Sequence, residues 1–322
     1  MLLKIGNMRG LDLQLFDFDY DLTWAAMLFD DQGRVLGRFG GRDAETPGKY
    51  HSLPALRYSL EQAWQRFERS AALPAVAAPN KKIEDYAGAQ RFTAKACFHC
   101  HNVAEFRREE KQAAGTWRKD EVWVFPDSAT LGFTLELDQG NKLREVHADS
   151  AAAKTGLKSG DALISIHGYA TASIADVQYA LHQAPATGTI EVRWQRGGKE
   201  MRGEIVLPEN WRHTDLSWRW SLKSMKPLPQ VQGDDLTAEE KQSLGLTPRQ
   251  LAFRQGAFVP QAAAQAGIRI GDLIVGVDGK SPEMSARQFE MYMRLHYQVG
   301  DTVNYDILRG KERIKIAVKL PG

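Results

Sequence analysis

The run Ala151-Ala152-Ala153-Lys154-Thr155-Gly156-Leu157-Lys158-Ser159-Gly160-Asp161 returns as Ala262-Ala263-Ala264-Gln265-Ala266-Gly267-Ile268-Arg269-Ile270-Gly271-Asp272, an interval of 111 residues (262 − 151). The match continues through Leu163-Ile164-Ser165-Ile166-His167-Gly168 and Ile274-Val275-Gly276-Val277-Asp278-Gly279. Self-similarity at a domain-sized interval means tandem domains. Small alanines and Gly156 or Gly267 suit a short helix packed close to a sheet. Gly160-Asp161 and Gly271-Asp272 turn the chain into a buried strand, and Gly168 and Gly279 close a hairpin. Each copy has a later helix, about 174–183 and 286–297, and ends on strands around Arg196-Gly197 or Arg309-Gly310.

The pattern A-x-x-A-G-[LI]-x-x-G-D-x-[IL]-x-x-[VI]-[DN]-G resembles bacterial PDZ domains of high-temperature-requirement proteases. The resemblance implies a small β-barrel or sandwich with helices that takes a peptide at a sheet edge, the terminal carboxylate resting on consecutive backbone N–H groups. Thr130-Leu131-Gly132-Phe133 stands where such domains carry that carboxylate loop. Leu131, Gly132 and Phe133 would floor the pocket, with Val177 and Leu181 on the helix wall. In the second copy Ser243-Leu244-Gly245-Leu246 is the best match, giving Leu244, Gly245 and Leu246. The partner implied is a protein, through a peptide or C-terminus.

Upstream, Cys97-Phe98-His99-Cys100-His101 holds the only two cysteines among 322 residues. C-x-x-C-H is the attachment spacing of c-type haem: two thiols three positions apart add to one porphyrin, and the following histidine reaches the iron. The leading expectation is covalent haem c on Cys97 and Cys100, with His101 as iron ligand. Arg107 and Arg108 would face the propionates or form a solvated charged face. His51, Met27 and His147 are candidate distal ligands. A haem-free C-x-x-C disulfide or dithiol pair stays open, and so does thiol–disulfide exchange with Cys97 attacking. Zinc is the weakest reading, because no second ligand pair accompanies the motif.

Residues 1–75 read as strand (22–29), Asp30-Asp31-Gln32-Gly33 turn, strand (34–39), then an amphipathic helix from Ser52 to about Ala72 with Leu53, Leu56, Leu60, Trp64 and Phe67 as its apolar face. That order resembles the C-terminal half of a thioredoxin fold, without its C-x-x-C segment or its cis-proline. Asp17-Phe18-Asp19-Tyr20-Asp21 reads as a solvated turn with its rings tucked in. Pro74 and Pro79 mark a linker over 73–90. Trp211, Trp218 and Trp220 are costly to expose and should pack.

The expected architecture is therefore an α+β multidomain chain. Its parts are a partial thioredoxin-like α/β unit (1–75), a linker and short helical haem-motif segment (76–122), a PDZ domain (123–208), a Trp-rich linker (209–236) and a second PDZ domain (237–322). The 42 basic and 40 acidic residues leave a net charge of +2, which gives no reason to expect a nucleic-acid partner. No apolar run reaches the roughly 18 residues of a membrane span. Neither a G-x-S-G nucleophile segment nor a phosphate loop is present, which argues against proteolysis and nucleotide chemistry. The expected function is a periplasmic haem redox or sensor protein docked to partners by its PDZ domains. A possible redox partner follows from it. The N-terminus lacks a signal-type apolar region, so a removed or missing leader is expected.

Overall fold

The computed structural model describes residues 2–44, 46–69, 81–93 and 95–322, and the core of the expected linker at 70–80 lies outside them. The chain forms two compact units, Met1–Thr214 and Asp215–Gly322.

The first unit opens with the hairpin β1 (Ala25–Phe29) and β2 (Val35–Gly40), followed by α1 (Leu53–Arg69). The elements stand where the patterning places them, but α1 faces the other way. Its small residues Ala55, Ser59 and Ala63 are buried, whereas Leu53, Leu60, Trp64 and Phe67 are exposed. A helix lying against a strand is held at the distance its contacting side chains allow, and here small residues make the approach.

Helix α2 (Cys100–Ala113) carries Val103 and Phe106 into a core with Met8, Leu13, Tyr20, Ile83, Tyr86 and Phe98. The acidic run 17–21 is not a solvated turn, since Asp19 and Asp21 are buried beside Tyr20. The rest of the unit is the first repeat: β3 (Phe133–Leu135), β4 (Leu143–Val146), α3 (Ala151–Thr155), β5 (Ala162–Ile166), β6 (Tyr169–Ala170), α4 (Ile174–Gln183), β7 (Thr189–Arg196) and β8 (Lys199–Val206). The sheet order is β6-β5-β7-β8, with the β3–β4 hairpin beside it. Trp211 is buried and donates through its indole N–H to the Ala186 carbonyl at 3.0 Å.

The second unit contains β9 (Gly233–Asp235), α5 (Ala238–Ser243), β10 (Phe253–Gln255), α6 (Gln261–Ala266), β11 (Leu273–Val277), α7 (Ala286–His296), β12 (Thr302–Arg309) and β13 (Glu312–Lys319). They form one antiparallel sheet in the order β13-β12-β11-β10-β9. Trp220 is half exposed, with the Lys223 ammonium 4.0 Å from its ring.

The repeated residues do the same work in both units. Gly156 and Gly267 end α3 and α6 at positive φ, 95° and 104°, and nothing lies within 4 Å of a Cβ built on either. The left-handed helix terminus requires them, not close packing against the sheet. Asp161 accepts from the Lys158 N–H and Asp272 from the Arg269 N–H, both at 2.8 Å. Each aspartate is also gripped by the arginine at the end of a strand, Arg196 or Arg309, and each of those guanidiniums donates to the carbonyl of the helix-ending glycine, Gly156 or Gly267, at 2.7 Å. The Gly-Asp pair and the distant Arg-Gly turn are thus one interaction written twice in the sequence.

Candidate functional site

The C-x-x-C-H segment leads into the start of α2. Cys97 is exposed and Cys100 half-buried, both as free thiols. Cys100 sits in the first turn of α2 with its Sγ 3.9 Å from the Leu22 carbonyl oxygen. Phe98 is buried and packs edge-on to Phe92 and Phe106, at 5.4 and 6.1 Å between centroids. His101 Nδ1 lies 3.2 Å from Glu105 Oε1, and the His101 ring stacks on His99. Arg107 reaches the Leu13 carbonyl and the Tyr20 hydroxyl at 3.4 and 3.5 Å, while Arg108 is buried. Neither forms a solvated face. Of the distal candidates, His51 stacks edge-on to Trp24, Met27 lies in β1, and the His147 N–H bonds the Gly132 carbonyl. Among the described residues no group of three or more His, Cys, Asp or Glu side chains could hold a metal ion.

Burial is the largest influence on the Cys100 thiol and pushes it above its ordinary range. The thiolate is the reactive form. Iodoacetamide at neutral pH should therefore label exposed Cys97 first and Cys100 at least about tenfold more slowly. Both cysteines fall on one tryptic fragment, 96–107, so tandem mass spectrometry that locates the label within it gives the ratio, and equal rates would refute this account of the segment.

The second candidate site is the groove each repeat forms between an edge strand and its long helix. In the first unit Leu131, Phe133, Val177 and Leu181 are all at most 1% exposed and belong to one core cluster. Gly132 has φ 87°, and a Cβ there would lie 2.1 Å from Ser150 Cβ, so the loop admits only glycine. Helix α4 is also claimed by the rest of its own unit. The Arg38 N–H of β2 donates to Asp176 Oδ1 at 2.8 Å, and the Ser173 hydroxyl donates to the Arg38 carbonyl. The Arg38 guanidinium lies 3.3 Å from the Tyr179 ring centroid, and Phe125 stacks on His182 at 4.2 Å. Sequence reasoning missed Arg38, Ser173 and Asp176, for 138 residues separate Arg38 from Asp176 and no local pattern links them.

In the second unit Leu244, Gly245 and Leu246 are not at the groove. They follow α5, where Leu244 and Leu246 pack with Leu236, Ala252, Val275 and Leu308. The segment entering edge strand β9 is instead Leu228-Pro229-Gln230-Val231, with Val231 in the core beside Phe289 and Met293 of α7. In the first copy Phe133 precedes Ala151 by 18 residues (151 − 133), whereas Val231 precedes Ala262 by 31 (262 − 231). Helix α5, inserted between β9 and β10, makes the difference. At the first copy's spacing the search lands on Leu244, on the inserted element.

Between β9 and α7 lies a cavity of about 260 Å³, bordered by Gly233, Asp234, Asp235, Arg287, Glu290 and Arg294. Asp235 Oδ1 accepts from the Ala286 N–H at 2.8 Å, tying β9 to the start of α7. Gly256 donates to the Gln232 carbonyl and Leu236 to the Ala252 carbonyl. The antiparallel alternation therefore spends 232, 234 and 236 on β10 and directs the backbone groups of Gly233 and Asp235 to the outer edge. An unpaired edge beside a helix can accept an added strand.

Residues 258–320 match the PDZ domain family. Over 187 residues the chain is 26% identical to "Probable periplasmic serine protease do/HhoA-like" of Haemophilus influenzae, covering 58% of this chain and 37% of that protein. It is 26% identical over 146 residues to "Periplasmic pH-dependent serine endoprotease DegQ" of Escherichia coli, covering 45% and 30%. It is 37% identical over 82 residues to "Serine protease Do-like HtrA" of Bacillus subtilis, covering 25% and 18%. The chain thus spans well under half the length of these relatives. They overturn the expected haem redox or sensor function: these relatives are named as serine proteases, and covalent haem c, cytochrome-type electron transfer and a redox partner have no support among them. The chain is of mixed α/β class and carries a PDZ domain, which points to peptide binding.

Proposed function

We propose that this chain recognises extended polypeptide by strand addition at PDZ-type grooves outside the cytoplasm. The observation that carries the reading is edge strand β9 facing α7 across the cavity, with outward backbone groups at Gly233 and Asp235. The PDZ match over 258–320 supports it. The periplasmic names of relatives support an extracytoplasmic location. No helix among the described residues is long and apolar enough to cross a membrane.

In this reading residues 123–208 are the first peptide module, with Leu131, Gly132, Phe133, Val177 and Leu181 around its pocket. The second is 237–322 extended back to take in β9, and 209–236 otherwise serves as the Trp-rich connector. Residues 1–75 are a thioredoxin-like half, a reading supported by the β1–β2 hairpin followed by α1.

The test is fluorescence anisotropy of labelled peptides from a random library against the whole chain. Binding at roughly micromolar Kd is expected. Tryptophan at Glu290, on the α7 wall of the second unit's cavity, should weaken it by about tenfold or more. No peptide binding above a scrambled control would overturn the proposal.

A further inference from the structure

We infer that the groove of the second unit takes an internal stretch of extended polypeptide, not a chain terminus. The inference rests on the peptide-groove reading above. Holding a terminal carboxylate needs consecutive backbone N–H groups converging on one point. The segment entering β9 cannot supply them. Pro229 has no N–H. The Gln230 N–H turns inward toward the buried Tyr305 hydroxyl, at a geometry outside an ordinary hydrogen bond. Gln230 itself is 4% exposed, and its side-chain amide donates to the Leu228 carbonyl at 3.0 Å. The Gln232 N–H is donated to Gln255 Oε1 at 3.2 Å. Of residues 229–232 only the Val231 N–H stays outside these contacts, and one donor is not a nest.

The groove keeps what an internal segment uses. Gly233 and Asp235 present their outward N–H and C=O groups along the strand, and those bonds are indifferent to where a chain ends. The walls offer carboxylates (Asp234, Asp235, Glu290) and cations (Lys223, Arg287, Arg294) around the cavity, with Met291 as the main apolar surface. Such a lining suits polar side chains on the added strand. It does not form the apolar socket that anchors a C-terminal residue. The first unit differs at this point: Leu131-Gly132-Phe133 has no proline, and Gly132 takes the left-handed conformation.

The test uses overlapping peptides from reduced, carboxymethylated α-lactalbumin, each made with a free C-terminal carboxylate and as the C-terminal amide. Binding to the whole chain is measured by anisotropy. Circular dichroism confirms that the Glu290→Trp chain folds, and Asp234→Trp on the exposed edge serves as a second block. Peptides whose binding falls about tenfold or more with Glu290→Trp or Asp234→Trp should bind within about twofold as acid or amide. If those same peptides lose about tenfold on amidation, the inference is overturned while the peptide-groove reading stands. If bound peptides respond to neither Glu290→Trp nor Asp234→Trp, the second unit is not their site and the inference falls. If nothing binds, the underlying reading falls with it.

Discussion

Asp176→Ala is expected to destabilise the first unit by about 3–5 kcal/mol, the cost of removing one partner from a buried charged network. Asp176 is 3% exposed. Its carboxylate accepts from the Arg38 N–H at 2.8 Å and the Ala172 N–H at 3.0 Å, and Arg66 lies 3.8 Å away. Alanine would leave the buried Ala172 N–H and the part-buried Arg38 N–H without this acceptor, each with its own desolvation penalty, and would take the counter-charge from Arg66. The variant should also loosen β2 from α4, leaving the Ser173 hydroxyl and the Tyr179 ring as the remaining α4 contacts of Arg38. Urea denaturation followed by hydrogen exchange of β2 amides measures both effects. Asp176→Asn keeps an oxygen acceptor and should lose less. A Asp176→Ala chain within about 1 kcal/mol of wild type would refute the account.

The pH dependence separates charge from shape. Burial, the largest influence, pushes the Asp176 carboxyl above its ordinary value, against the opposing pull of Arg66 and the backbone N–H groups. The folded state therefore keeps this proton to a higher pH than the unfolded chain does. Asp176 contributes most below the ordinary carboxylate range, and its contribution declines as pH rises through the raised folded value. Asp176→Asn should remove that part of the slope. A slope unchanged in the asparagine variant would assign it to other groups.

Gly233→Ala should cost the second unit more than about 3 kcal/mol, beyond ordinary overpacking. A Cβ at this position would stand 1.8 Å from the Arg254 carbonyl oxygen and 2.7 Å from its carbon. Both atoms are backbone, so no side-chain rotation relieves the contact and β9 must part from β10. Loss of β9 also removes the edge at which a peptide would add. Asp234→Ala, one residue on and exposed, is the control and should stay within about 0.5 kcal/mol. The checks are the unfolding midpoint of the second unit and the exchange rate of the Leu236 amide, which bonds across to Ala252. If Gly233→Ala leaves both unmoved, β9 does not pair as described.

The sequence by itself determined the tandem repeat, because each repeated residue answers a local demand. Gly156 and Gly267 meet a positive φ, and Asp161 and Asp272 close a turn three residues back. Such demands act between near neighbours and leave a mark wherever the fold recurs. The hairpin and α1 were legible for the same reason. The tertiary structure alone decided which way α1 faces, since a strand that accepts Ala55, Ser59 and Ala63 at close range outweighs the wider apolar stripe. It alone decided that Phe98 packs edge-on to Phe92 and Phe106 where α2 begins. It also joined Arg38 to Asp176 and moved the second groove's entry from Leu244 to Val231. Packing selects partners by proximity in space, and an inserted helix or a gap of more than a hundred residues erases the spacing by which sequence would reveal them.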